Sequence, residues 1–203
     1  MSSALSFSQL IRRSRFLLFV TVLAAAFGLL FSLLIPIQYS STIRLLVTQP
    51  NAGATDPYTA SKFTERIASS LSELLYSSSF ANSIIDKTTA TDTQAFPVDE
   101  YTRRKVWRKT IETTLTPGTG ILSITAYRTT REQATLLVSA ASQELILQAP
   151  NYWSGVRLQV IDTPLASRWI ARPEFVKNAL FGAMIGFLLG LLWTIGGRSE
   201  RRS

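Results

Sequence analysis

Two long runs without a charged side chain lie near opposite ends of this chain of 203 residues, and they limit its architecture more than any other feature. The first is FLLFVTVLAAAFGLLFSLLIPI, residues 16–37, preceded by Arg12, Arg13 and Arg15. The second runs from Asn178 to Gly197 and is followed by Arg198, Arg201 and Arg202. A helix of about 20 residues rises roughly 30 Å, the depth of a bilayer's hydrocarbon core. Both runs therefore predict membrane-spanning helices. Arginines outside each run place both tails on the cytoplasmic side and the intervening chain on the far side. The expected division is a tail at 1–15, a span at 16–36, an external domain at 37–174, a second span at 175–197 and a basic tail at 198–203. Ala24-Ala25-Ala26 offers an A-x-A-like cleavage site, but the apolar run continues well past it, so the first span is read as an uncleaved anchor.

Location of charge decides what the net +8 means. The segment from 37 to 174 holds 14 basic and 12 acidic residues, so most of the excess lies at the chain ends and at Lys177. Such basicity orients spans and meets anionic headgroups, and no nucleic-acid partner is expected. Cysteine and histidine are both absent. That removes zinc sites of the usual kind, cysteine nucleophiles and serine–histidine triads.

Small residues recur every four positions in each span: Ala24, Gly28 and Ser32 in the first, Gly182, Gly186 and Gly190 in the second. In lipid, association rests on close backbone packing, which such faces allow. Matching depths in an antiparallel pair would set Ser32 against Gly182, Gly28 against Gly186 and Ala24 against Gly190.

Between the spans the pattern alternates between strand and helix periods. Residues 40–50 are a β-branched run and predict a strand. NAGATDP at 51–57 reads as a loop. A helix opening at Thr59 or Ser61 carries Phe63, Ile67, Leu71, Leu74 and Leu75 at the 3.6-residue period. Phe80, Ile84 and Ile85 suggest a short second helix, and 88–98 is linker-like. Asp99 caps a third helix. That helix carries the domain's concentrated basic cluster: Arg103, Arg104, Lys105, Arg108 and Lys109. It is either a solvated face, with Val106, Trp107 and Ile111 buried, or a binding face for a phosphate, an acidic sugar or a lipid headgroup. Thr116–Gly120 is a turn. ILSITAY at 121–127 alternates as a strand, and a helix capped by Thr129 or Thr130 spans 131–148 until Pro150. VRLQVID at 156–162 is the last strand. The expected fold is a small α/β domain of order β-α-α-α-β-α-β with a mixed sheet, its first and last strands paired. Pro164 and Pro173 punctuate a linker into the second span. Tyr152, Trp153, Trp169 and Phe175 suit the outer membrane interface, with core packing as the other reading for the first two.

No phosphate loop or dinucleotide fingerprint is present, and no cofactor or metal is expected. Asp99 and Glu100 suit a helix start better than paired acid–base work. Asp162 ends a strand without an identifiable partner. The chain reads as a scaffold or binding protein.

The plan of the chain, a span near each end around a β-helices-β-α-β domain, resembles the polysaccharide co-polymerases, or Wzz-type chain-length determinants. Tyr39-Ser40-Ser41 leading into TIRLLV is similar to that family's start of the external domain. ILSITAYRTTREQATLLVSAASQEL is similar to its strand, short turn and alanine-bearing helix. VIDTPLASRWIARPEFVKNALFGAMIGFLLGLL is similar to its ending, though with fewer prolines than usual. The external domain is short beside larger members, whose long helical arm has room here only near 90–98. The resemblance implies a non-enzymatic homo-oligomeric ring in the cytoplasmic (inner) membrane. It also implies partners: membrane lipid, a polysaccharide polymerase and a lipid-linked glycan (of O-antigen, capsule or exopolysaccharide), and for compact members a tyrosine kinase in trans. The rival readings are a two-span adaptor or sensor that binds another envelope protein, and a carboxylate-only enzyme using Asp162 and Glu112.

Overall fold

The computed structural model describes residues 7–48, 57–88 and 96–196. It divides into two units, Gln38–Ala171 and the pair of end segments, Met1–Ile37 with Arg172–Ser203. The loop at 51–57 and the linker at 88–98 fall largely outside the described residues, as do residues 1–6 of the first tail and all of the tail at 198–203.

The end segments form two helices, α1 (Phe7–Leu33) and α6 (Phe175–Gly196). Each holds a 19-residue stretch long and apolar enough to cross a membrane, Arg15–Leu33 and Phe175–Trp193. Helix α1 starts well before residue 16, so much of the expected polar tail is helical. Leu34 and Ile35 close its end by donating to the Phe31 and Ser32 carbonyls, and Pro36 follows.

Gln38–Ala171 contains β1 (Tyr39–Thr48), α2 (Pro57–Leu75), α3 (Ser78–Thr88), α4 (Glu100–Thr110), β2 (Ile111–Thr116), β3 (Ile121–Arg128), α5 (Arg131–Tyr152) and β4 (Arg157–Ala166). The four-stranded sheet has the order β2-β3-β1-β4, and every pairing is antiparallel. This corrects the expected mixed sheet and adds a strand. The helical crossovers do join parallel strands, β1 to β2 and β3 to β4. Each crossover, however, skips one position, and an antiparallel strand fills the gap. Ile111, expected on the buried side of a helix, instead opens β2 directly after α4. Four of the six residues of Ile111–Thr116 are β-branched, and the strand hairpins onto β3 through a turn in which Gly118 and Gly120 take positive φ.

Alternation along the strands sets the layers. Ile43, Leu45 and Val47 of β1 and Leu122, Ile124 and Ala126 of β3 are buried on one face. Stripes from the helices cover that face: Ile67, Leu71 and Leu75 of α2, Phe80 and Ile84 of α3, and Leu137, Val138, Ala141 and Leu145 of α5. Trp107 of α4 fills the remaining corner and donates its indole N–H to the Leu75 carbonyl at 2.8 Å.

Two prolines behave differently from expectation. Helix α5 continues past Pro150 to Tyr152. Pro150 is exposed in the last turn, where a missing N–H costs one backbone bond. Pro164 lies inside β4 rather than in a linker. It is tolerated there because β4 is an edge strand and its register against β1 is irregular between Asp162 and Leu165. Pro173 does lie between β4 and α6.

The two ends of Gln38–Ala171 are tied together. Strands β1 and β4 pair, Ser167 N–H donates to Ser40 O at 2.7 Å and Ala171 N–H to Gln38 O at 2.8 Å. The Arg131 guanidinium lies over the Tyr39 ring and donates to the Arg168 carbonyl at 2.6 Å.

Candidate functional site

The basic cluster of α4 divides once the helix is built. Asp99 caps it, its carboxylate accepting from Thr102 N–H at 2.9 Å and Thr102 Oγ1–H at 2.7 Å. Those bonds, the hydroxyl's first, hold the Asp99 carboxyl below the usual carboxylate range. Glu100 pairs with Arg104 at 2.7 Å, one turn on. Trp107 points into the core and fixes the helix's rotation. Arg103 is half-buried, while Arg104, Lys105, Arg108 and Lys109 are exposed.

Arg104, Lys105 and Arg108 share a face with Tyr101, as one- and two-turn spacing requires. Together with Glu73, Tyr76, Ser77 and Ser78 from the end of α2 and the turn into α3, they line an open groove of about 630 Å³. Arg103 and Lys109 are not among its lining residues. No periodicity within α4 reports a neighbour some thirty residues away, so the meeting of α2's end with this face is not legible from the pattern. Tyr76 follows α2 and Tyr101 lies in α4, so no local pattern joins the groove's aromatic members.

The small-residue faces of α1 and α6 meet. A Cβ built on Gly28 would lie 2.5 Å from the Asn178 carbonyl oxygen. One on Gly182 would lie 2.5 Å from the Ala24 carbonyl oxygen, and one on Gly186 2.5 Å from Ala24 Cβ. Gly190 faces Leu17. The facing residues are thus offset by about one turn from the sequence expectation. Ser32 meets Asn178 rather than Gly182, accepting a hydrogen bond from Asn178 Nδ2 at 2.7 Å. Its own hydroxyl donates to the Gly28 carbonyl at 3.0 Å.

The two carboxylates considered for chemistry are not brought together. Glu112 is on β2 and accepts from Tyr127 O–H at 2.9 Å; Asp162 is on β4, 3.5 Å from Arg44. These strands are opposite edges of the sheet, so three strand intervals separate the groups, on the order of 14 Å. Paired glycosidase carboxylates stand about 5–9.5 Å apart. Trp153 packs against the core, while Tyr152 is more than half exposed and Trp169 is 84% exposed.

Among curated proteins, none matches the chain by sequence. Residues 7–88 match the family model described as Wzz, chain length determinant protein. The matched stretch takes in α1, β1, α2 and α3, and stops where α3 ends. Over α1 and the first half of the α/β unit the chain is similar to the Wzz chain length determinants, consistent with the polysaccharide co-polymerase family.

Proposed function

We propose that this protein is a non-enzymatic membrane scaffold that regulates the chain length of a lipid-linked surface polysaccharide as it is polymerised and exported. The observation that carries the reading is the Wzz match over residues 7–88, which joins an apolar helix to the first strand and helices of the α/β unit. Support also comes from a second helix long and apolar enough to span, and from β1–β4 pairing, which brings the two ends of the unit together. In this reading α1 and α6 cross the inner membrane, both tails are cytoplasmic and Gln38–Ala171 is external. Copies assemble into a ring and act with a polysaccharide polymerase, and a tyrosine kinase in trans is a further partner.

The test is a gel ladder of the cell's surface polysaccharide with the gene intact and deleted. Loss or displacement of the preferred length on deletion is the expected result. An unchanged ladder, with the protein expressed and inserted in the intact strain, overturns length control and turns attention to an envelope-protein partner. A protein that stays monomeric in mild detergent over a wide concentration range overturns the ring.

A further inference from the structure

The groove between the end of α2 and the face of α4 combines features that a structural role does not require. Tyr101 is 79% exposed, although burying an aromatic ring is ordinarily favourable. Arg104 is held by Glu100, whereas Lys105 and Arg108 show no carboxylate partner among the described residues. Tyr76 is fixed from behind: Thr113 N–H donates to its hydroxyl at 3.0 Å, and Thr113 Oγ1 lies 3.1 Å from the same oxygen. Its ring is therefore oriented before any ligand arrives, which lowers the ordering cost of binding. Ser77 and Ser78 supply hydroxyls, and Glu73 supplies one carboxylate at the rim.

We propose that this groove binds an anionic saccharide, with the sugar's apolar face on Tyr101 and Tyr76 and its acidic group on Arg108 and Lys105. The chemistry favours a sugar over a bare phosphate. Tyrosine rings offer rigid amphipathic surface that inorganic anions do not use. Glu73 can accept hydrogen bonds from sugar hydroxyls, donors that a bare phosphate lacks. The planar guanidinium of Arg108 matches a carboxylate's two oxygens. The groove's 630 Å³ is the size of ordinary small-ligand sites and holds a few sugar units. The inference rests on the polysaccharide reading above and names the ligand class that would touch the external unit.

The experiment titrates the full chain in detergent with tetragalacturonate, with neutral maltotetraose and with inorganic pyrophosphate, following heat of binding. Tetragalacturonate is expected to bind most tightly. The double variant Lys105→Ala/Arg108→Ala should weaken it about tenfold or more, as loss of charged hydrogen bonds does. Tyr101→Ala should weaken it about threefold or more, as loss of an aromatic face does. Lys62→Ala/Arg66→Ala, which removes two charges from a different surface of α2, should leave it unchanged. All these positions are exposed, so the variants should fold. Equal binding of pyrophosphate or maltotetraose overturns the assignment, as does equal loss in the control variant or no binding at all. The deletion ladder separates the two readings. A ladder that loses its mode, with no saccharide binding, retires this site alone; saccharide binding at the groove with an unchanged ladder retires length control alone.

Discussion

Trp107 sits at 1% exposure, donates to Leu75 O and packs against Phe96 with ring centroids 5.8 Å apart. Trp107→Ala is expected to destabilise the protein by about 3–5 kcal/mol, read as a lowered unfolding midpoint in detergent, since it opens a cavity and orphans a carbonyl. Glu144 is a second buried residue with an outsize role. At 5% exposure it accepts from Ser83 at 2.7 Å, from Gln148 and from Lys87. Lys87 foremost, then Ser83, holds its carboxyl below the ordinary value of 4.5, against the opposing effect of burial. A depressed folded-state value means stability that is present above about 4.5 and lost as pH falls through the folded value. Glu144→Gln should therefore flatten the loss of stability on acidification below that point, measured as unfolding temperature against pH. Trp107 was legible as buried from its place between Val106 and Ile111. Glu144 was not, because its partners on α3 are distant in sequence and only the packing of α3 on α5 brings them close.

At the scale of elements, the stripe of small residues was legible and its register was not. The four-residue spacing of Gly182, Gly186 and Gly190 follows from helix geometry, but the offset goes with contacts that spacing alone does not specify, among them the polar pair of Asn178 and Ser32. Gly182→Leu should push α1 and α6 apart, because even a Cβ there meets the Ala24 carbonyl at 2.5 Å. The expected result is a lower unfolding temperature in detergent, with little change for Leu180→Ala, whose side chain is 71% exposed. Asn178→Leu should weaken the same pair by about 0.6–1.7 kcal/mol, the range for hydrogen bonds between helices in a bilayer. Strand β2 carries no boundary signal, because α4 passes into it at Ile111 with no glycine, proline or loop between them. A threonine-rich run before a Pro-Gly turn was the available signal. The antiparallel sheet was equally hidden: helical crossovers suggest parallel neighbours, and only the inserted hairpin partner β3 separates β1 from β2.

For the whole molecule, the division into apolar ends and a nearly neutral centre was legible from charge alone, since 14 basic residues balance 12 acidic ones between 37 and 174. Reporter fusions at the two ends should both report the cytoplasmic side, and a fusion within residues 51–57 the opposite side. The groove was only half legible, its cations visible along one helix and its tyrosines assembled by tertiary packing. The closure of Gln38–Ala171 has a mechanical meaning as well. Strands β1 and β4 start and finish side by side, Ser41 opposite Ala166, so tension that spreads the two chain ends peels their ladder from its open end instead of shearing it. Bonds then yield in sequence, Ala171 to Gln38 first, then Arg131 to the Arg168 carbonyl, then the two bonds that Ser40 and Ser167 share, before the β1–β4 ladder itself opens. The domain is compliant along that one direction, and tension transmitted through either apolar helix arrives at a zipper whose first teeth are known.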